Sequence, residues 1–313
     1  MSSSLSRCPV PTFLLGAAAA TGLIMMGKYL FSSSRVPKDL LRLKKYSSEL
    51  RTAIDCALRA GYNLRAALLK SDKAIQSKGS AIDFVTETDR YNEELIFGTL
   101  AKRFPNHRFI GEETCATGGH VPKVTTEPTW IVDPIDGTTN FVHSNPAVCV
   151  SIGFVVEGVP VIGVVYAPCT DELFVAVKGC GAFLNGQKIN VSRCQRIRNA
   201  IVMTEVGYER DETSISLLCN RLRHVLSLSP HAVRQIGSGV LDLCYLACGR
   251  VDALYAEGWF PWDYCAGMLI VEEAGGTLST FDGSPFHLEA DNILGASSVD
   301  VAGELRTALA QAD

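Results

Sequence analysis

No Cys-x-x-Cys pair, no Gly-x-Ser-x-Gly elbow and no Gly-rich dinucleotide loop occurs in this 313-residue chain. The last two absences leave serine-hydrolase and nucleotide-cofactor readings without support. The eleven cysteines are an odd number scattered through helix-like and strand-like stretches, which argues against a disulfide framework. Cys244 and Cys248, four apart in an apolar helical run, read as core thiols rather than metal ligands. The histidines form no ligand-spaced cluster. With a net charge of -4 and no basic stripe interleaved with aromatics, the chain has no nucleic-acid footprint, so nucleic acid is excluded as a partner. No internal repeat or low-complexity linker interrupts it after residue 40, and no acid precedes Asp39.

What is present is the composition of an ordinary enzyme core, 47% hydrophobic and 20% charged, long enough for one or two domains. Residues 1–36 stand apart from a body expected over 37–313. From Phe13 to Phe31 the chain is apolar except for Thr21 and Lys28, close to the roughly 20 residues of a membrane helix, though alanine and glycine weaken it. A signal anchor, a cleaved secretory signal and an organellar transit peptide all fit. Charge separates them: Arg7 alone precedes the run, whereas Lys28, Arg35, Lys38, Arg42, Lys44 and Lys45 follow it. The positive-inside rule then predicts membrane attachment with a cytosolic catalytic body, organellar import or a cytoplasmic protein being the alternatives. The sequon Asn190-Val191-Ser192 matters only for the opposite topology.

Periodicity predicts a long helix from about Leu40 to Leu69 and a second from Arg90 to Arg103. Strands are expected at Trp130 to Val132, Val148 to Val156, Val159 to Tyr166 and Leu173 to Val177. The second half alternates: strands at Ile201 to Thr204, Val233 to Ile236, Ala253 to Tyr255 and Thr277 to Ser279, helices at Thr213 to Leu226, Val240 to Ala247 and Ala266 to Glu273.

The most informative stretch runs from Trp130 to Phe141, an apolar strand ending in Asp133-Pro134-Ile135-Asp136-Gly137-Thr138. Two hard carboxylates, a carbonyl at Ile135 between them and amides at Gly137 and Thr138 can hold metal and phosphate together. The same letters also make an ordinary tight turn with a threonine cap, and both readings stand on this segment alone. An EF-hand is excluded, because Ile135 and Gly137 fall where its loop needs oxygen side chains. Further carboxylates stand at element boundaries in Gly111-Glu112-Glu113 and Pro261-Trp262-Asp263. Cys265 is two residues beyond Asp263, where oxidation would matter to a metal site, although packing is its default role.

Taken with Asp83-Phe84-Val85-Thr86-Glu87-Thr88-Asp89, these segments resemble, in order and spacing, the inositol monophosphatase family of lithium-sensitive, Mg²⁺-dependent phosphatases, over about residues 40 to 300. The resemblance implies an α+β fold, a layered αβαβα sandwich as in inositol monophosphatase and fructose-1,6-bisphosphatase. It implies that Glu112, Asp133 and the Ile135 carbonyl bind one metal, that Asp133, Asp136 and Asp263 bind a second, and that Glu113 stays near them. Thr138 is implied to orient the attacking water, with Asp89 behind it and Glu112 as base; Gly137 and Thr138 would hold phosphate. Lys78 would support the loop carrying Asp83, and equally reads as a surface lysine. Asp83 and Thr86 also read as turn and cap residues, and Asp89 as a helix N-cap. Asp136, Glu257 and Gly239 match substrate positions; a carboxylate suits a polyol, whereas Gly239 also reads as a simple helix start.

The loop Tyr208-Glu209-Arg210 is bulkier and more charged than the family's, so galactose 1-phosphate, histidinol phosphate and other small monoesters stay open as substrates beside inositol monophosphate. His143, just past the metal block, reads as a structural loop histidine. The family also suggests a homodimer. A competing reading, a catalytically inactive membrane-tethered binding protein, would require a lost metal ligand, and every matched ligand is present.

Overall fold

The computed structural model describes residues 35–70, 76–77 and 84–312. The segment for which an anchor or transit peptide is expected therefore lies outside it, as do Lys78 and Asp83. Among the described residues no helix is long and apolar enough to cross a membrane.

Helix α1 (Ser47–Leu68) begins later than periodicity suggests. Leu40–Arg42 form a separate 3₁₀ turn, and Tyr46 adopts a left-handed conformation (φ 68°) that breaks the chain between the two. A two-stranded ribbon, β1 (Gln76–Ser77) with β2 (Phe84–Val85), leads into α2 (Glu87–Arg103). The larger sheet has seven strands in chain order: β3 (Arg108–Gly111), β4 (Thr129–Asp136), β5 (Cys149–Val156), β6 (Val159–Ala167), β7 (Glu172–Val177), β8 (Gly181–Leu184) and β9 (Gln187–Ile189). Only β3 and β4 run parallel; the rest is an antiparallel meander. The short helices α3 (Glu112–Gly118) and α4 (Thr138–Val142) follow the ends of β3 and β4.

The second sheet is assembled from β10 (Ile201–Thr204), β11 (Ala232–Arg234), β12 (Ala253–Glu257), β13 (Thr277–Ser279) and β14 (Asn292–Ala296), in the order β11-β10-β12-β14-β13. Between its strands run α5 (Glu212–Ser227), α6 (Gly239–Ala247) and α7 (Pro261–Glu273), and α8 (Val299–Ala310) closes the chain. Sequence periodicity did not reveal β8, β9, β14 or α8. Helix α7 starts five residues earlier than its apolar run, because Pro261 is pre-set for a first helical position and Asp263 caps it.

Three apolar clusters account for five layers. One lies between α1 and α2 and the seven-stranded sheet, with Leu50, Leu64, Ile96, Trp130 and Phe154 fully or almost fully buried. A second fills the space between the sheets around α6 and α7, and a third covers the outer face of the smaller sheet under α5 and α8. Burying each such side chain contributes about 1.5–3 kcal/mol, so every helix is held by its apolar stripe rather than by intrinsic propensity. The architecture is the αβαβα sandwich that the resemblance implies.

Candidate active site

Asp133 and Asp136 are three residues apart on β4, so an unbroken strand would turn them to opposite faces. The pairing with β5 is irregular between them: Asp133 pairs with Ser151, and the next pairing is Asp136 with Cys149. That irregularity, at the Pro134 that cannot donate to the ladder, turns both carboxylates to one side. Asp263 arrives from α7, which packs across β4, β5 and β6. Ligand oxygens of Asp133, Asp136 and Asp263 then lie within 4.8 Å of one another. The first two are buried and Asp263 is half-buried.

Two of the carboxylates are also fixed by a backbone N–H, and the third by side-chain donors. Asp133 Oδ1 accepts from Ile135 N at 3.0 Å, and Asp263 Oδ2 accepts from Phe260 N at 2.6 Å, capping α7. Asp136 Oδ2 accepts from the Ser238 hydroxyl, and the Cys149 thiol lies at 3.6 Å. Burial pushes the Asp136 carboxyl up to about 7; the Ser238 and Cys149 contacts oppose this, and the charges of Glu112 and Glu205 add to it.

Glu112 stands outside the mutual set of three but close enough for its charge to act on Asp136. It opens α3, and the neighbouring Glu113 and Thr114 amides donate to Glu93 at 3.0 and 2.9 Å, so a buried glutamate from α2 caps this helix. Gly111 makes the cap possible, since a Cβ there would fall 2.2 Å from Glu93 Oε2. Glu113 is buried behind Glu112.

Asp89 is the third helical residue of α2, not its N-cap. Thr86 is the cap, and the two form a capping box in which Asp89 Oδ2 accepts from Thr86 N at 2.8 Å and from its hydroxyl. The other oxygen of Asp89 lies 3.4 Å from Thr138 Oγ1, which is also 3.1 Å from the Ile135 carbonyl. Capping and the partnership with Thr138 thus coexist on one carboxylate. Gly137 is left-handed (φ 87°), and a Cβ there would meet Ala147 O at 2.8 Å and Gly237 O at 3.1 Å. Asn140 Nδ2 ties that corner together, 2.7–3.1 Å from the carbonyls of Ala147, Ile236 and Gly237.

Of the substrate-side residues, Gly239 packs against Trp259. A Cβ on Gly239 would lie 2.6 Å from its ring, so the glycine is a packing requirement as well as a helix start. Glu257 is half-exposed at the end of β12 and pairs with the buried Arg221 of α5 at 2.6 Å. Tyr208, Glu209 and Arg210 are exposed, Arg210 folding back onto the carbonyls of Gly207 and Glu209. His143 is exposed, one residue past α4, and Cys265 is buried against Gly153. Sequence reasoning gave no role to Ser238, Asn140, Glu205 and Arg221; Asn140 lies within the 130–141 stretch and Ser238 in a Gly-Ser-Gly turn, whereas Glu205 and Arg221 carried no local signal.

The donor set suits a hard divalent cation: three carboxylates at a convergent spacing, two pre-held by backbone N–H groups and one by the Ser238 hydroxyl. The model of the inositol monophosphatase family matches residues 45–312. Inositol monophosphatase 2 of Solanum lycopersicum is 50% identical over 242 residues, 77% of this chain and 90% of that protein. Inositol monophosphatase 2 of Homo sapiens is 44% identical over 260 residues, 83% and 89% of the two chains. The solved structure of inositol monophosphatase from Anabaena superposes with a TM-score of 0.73 at 34% identity, over 86% of this chain and 97% of that one. A match of this extent makes the chain a member of the inositol monophosphatase family.

Proposed function

We propose that the protein is a Mg²⁺-dependent phosphomonoesterase that hydrolyses inositol monophosphate to myo-inositol and phosphate. The observation that carries this reading is the convergence of Asp133, Asp136 and Asp263 beside the Thr138–Asp89 pair. Glu112, Asp133 and the Ile135 carbonyl would hold one ion, and Asp133, Asp136 and Asp263 a second. When bound, the ions supply positive charge to the phosphate oxygens and acidify water at the site.

The chain's own groups orient the reaction. With the Ile135 carbonyl engaged as a ligand, the Thr138 hydroxyl is left to donate to Asp89, which turns its oxygen lone pairs toward the site to accept from a water. Glu112 opens α3, whose next two amides are capped by Glu93, and would be the base that takes the proton of that water. Gly137 brings the backbone close to where phosphate would lie. Glu257 accepts polyol hydroxyls while Arg221 holds it in place and compensates its charge. The family resemblance extends the proposal to a homodimer.

Phosphate release from inositol monophosphate, assayed with and without Mg²⁺, tests the proposal. Turnover that needs the ion supports it, and a folded protein inert with Mg²⁺ toward every small monoester would reduce it to a binding protein on a phosphatase scaffold.

A further inference from the structure

Behind the metal-binding carboxylates lies a second pair of acids. Glu205 follows the end of β10, and its Oε1 accepts the N–H groups of Ile236 and Gly237, each at 2.9 Å. It thereby holds the turn that delivers Ser238 to Asp136 and Gly239 to Trp259. Asp242, in the first turn of α6, is fully buried, and neither of its carboxyl oxygens has a hydrogen-bond donor. Its amide continues the helix by donating to Ser238 O at 3.1 Å, so only the side chain is unsatisfied. The charged groups facing Asp242 are Glu205 and then Asp136; Glu205 in turn faces Asp242.

Two ionised carboxylates are acceptors only, and their contact in a dry interior is repulsive. A single proton converts the contact into an O–H···O⁻ hydrogen bond, one of the stronger kinds. Glu205 already accepts two N–H bonds, which favour its charged form, whereas Asp242 accepts none. The proton therefore belongs on Asp242. Burial and the charge of Glu205 push the Asp242 carboxyl up, in agreement with the geometry.

We propose that Asp242 is a positioning residue held as the neutral acid, donating its proton to Glu205, and that this carboxyl–carboxylate pair fixes the 236–239 turn under the metal-binding cluster. The pair does not touch substrate. It sets the place of two groups that do the work at the site, the Ser238 hydroxyl on Asp136 and the wall formed by Gly239. Only the activity part of the test rests on the phosphatase reading; the stability and spectroscopic parts use the full-length protein without substrate.

An acid whose carboxyl is pushed up in the fold stabilises below its unfolded value, and that stability is lost as pH rises toward the folded value. Asp242→Asn cannot ionise and supplies an N–H to Glu205 in the same place. Its melting temperature relative to the unsubstituted protein should therefore climb as pH rises above the ordinary carboxylate range. A difference infrared spectrum at neutral pH should show a deuterium-sensitive protonated-carboxyl band in the unsubstituted protein that Asp242→Asn removes. Activity of Asp242→Asn should stay within about threefold, while Asp242→Ala, which removes the side-chain donor to Glu205 and leaves it only its two backbone N–H bonds, should raise KM about tenfold with kcat less affected. A melting difference that is flat with pH, or the absence of the infrared band, would overturn the proposal. Either readout survives a failure to find the substrate.

Discussion

Three carboxylates within 4.8 Å of one another repel when ionised, so the fold must hold them with N–H and O–H donors until a cation arrives. Asp133 is the residue on which both proposed ions depend. Asp133→Asn should leave the melting profile of the cation-free protein intact or improved and should abolish Mg²⁺-dependent turnover; near-normal activity in the folded variant would refute the ligand assignment. Asp136 gives the pH dependence. Its carboxyl is pushed up to about 7 by burial, so in the cation-free protein it stabilises most below the ordinary carboxylate range, and that contribution is lost as pH rises through about 7. A cation binds the ionised form. The Mg²⁺ concentration for half-maximal stabilisation in thermal melts should therefore rise up to tenfold per unit as pH falls below about 7, and an unchanged midpoint between pH 6 and pH 8 would contradict that. For Glu257, truncation to Ala should lower kcat/KM for inositol monophosphate by about tenfold to a hundredfold and that for glycerol 2-phosphate much less, because a hydrogen bond to a charged group contributes roughly 1.5–3 kcal/mol. The buried Arg221 left behind costs folding stability for both substrates alike, so the ratio between them is the quantity to read.

At the scale of elements, the end of β4 and the corner after it carry the site. Gly137 sits at φ 87° with two carbonyl oxygens closing over the missing Cβ. Gly137→Ala should lose about 1–3 kcal/mol in urea unfolding from backbone strain alone and lower kcat as the corner shifts; wild-type stability would mean that the corner relaxes freely. The existence of α2, β4–β7, β10, α5, α6 and β12 was legible, the strands and α6 as continuous apolar runs buried nearly all round, and α2 and α5 by the helical recurrence of their apolar residues. Tyr46 was not legible as a break, since nothing local distinguishes an αL tyrosine inside a helical pattern. Nor were β14 and α8, whose short apolar runs read equally as loop until the smaller sheet offers them an edge and a face. The acids of the site were visible as element-boundary carboxylates, and a capping role was legible for Asp89; that Asp89 caps from the third helical position and that Asp263 caps as well follows only from where α2 and α7 begin.

At the scale of the whole molecule, the body closes at its start: Arg35 pairs with Asp171 through two contacts of 2.6 and 2.5 Å, and Val36 and Leu40 are buried. The positive charges that include Arg35 also carry the prediction about location. Protease treatment of intact membranes should remove the catalytic body if the leader anchors it facing the cytosol; protection, or a mature chain cleaved near Ser32 to Ser34, would place it in a lumen or organelle instead. A cut near Ser32 to Ser34 would leave Arg35 and the contacts that seat the first turn on the body.

The sequence by itself determined the chemistry on offer, because Asp133, Ile135, Asp136, Gly137 and Thr138 are neighbours in the chain and their oxygen donors cannot be far apart. It determined most elements for the same short-range reason. Only the tertiary structure decided which distant groups complete the site: Asp263 from α7, Ser238 from the turn before α6, Asp89 from α2, and Arg221 set behind Glu257. Those meetings depend on how five layers pack and on one irregularity in the pairing of β4 with β5, and such long-range packing leaves no periodic trace in any single segment. The buried Asp242 facing Glu205 is of this kind, an acid inside an apolar helix pattern whose meaning appears only once β10 is laid beside it.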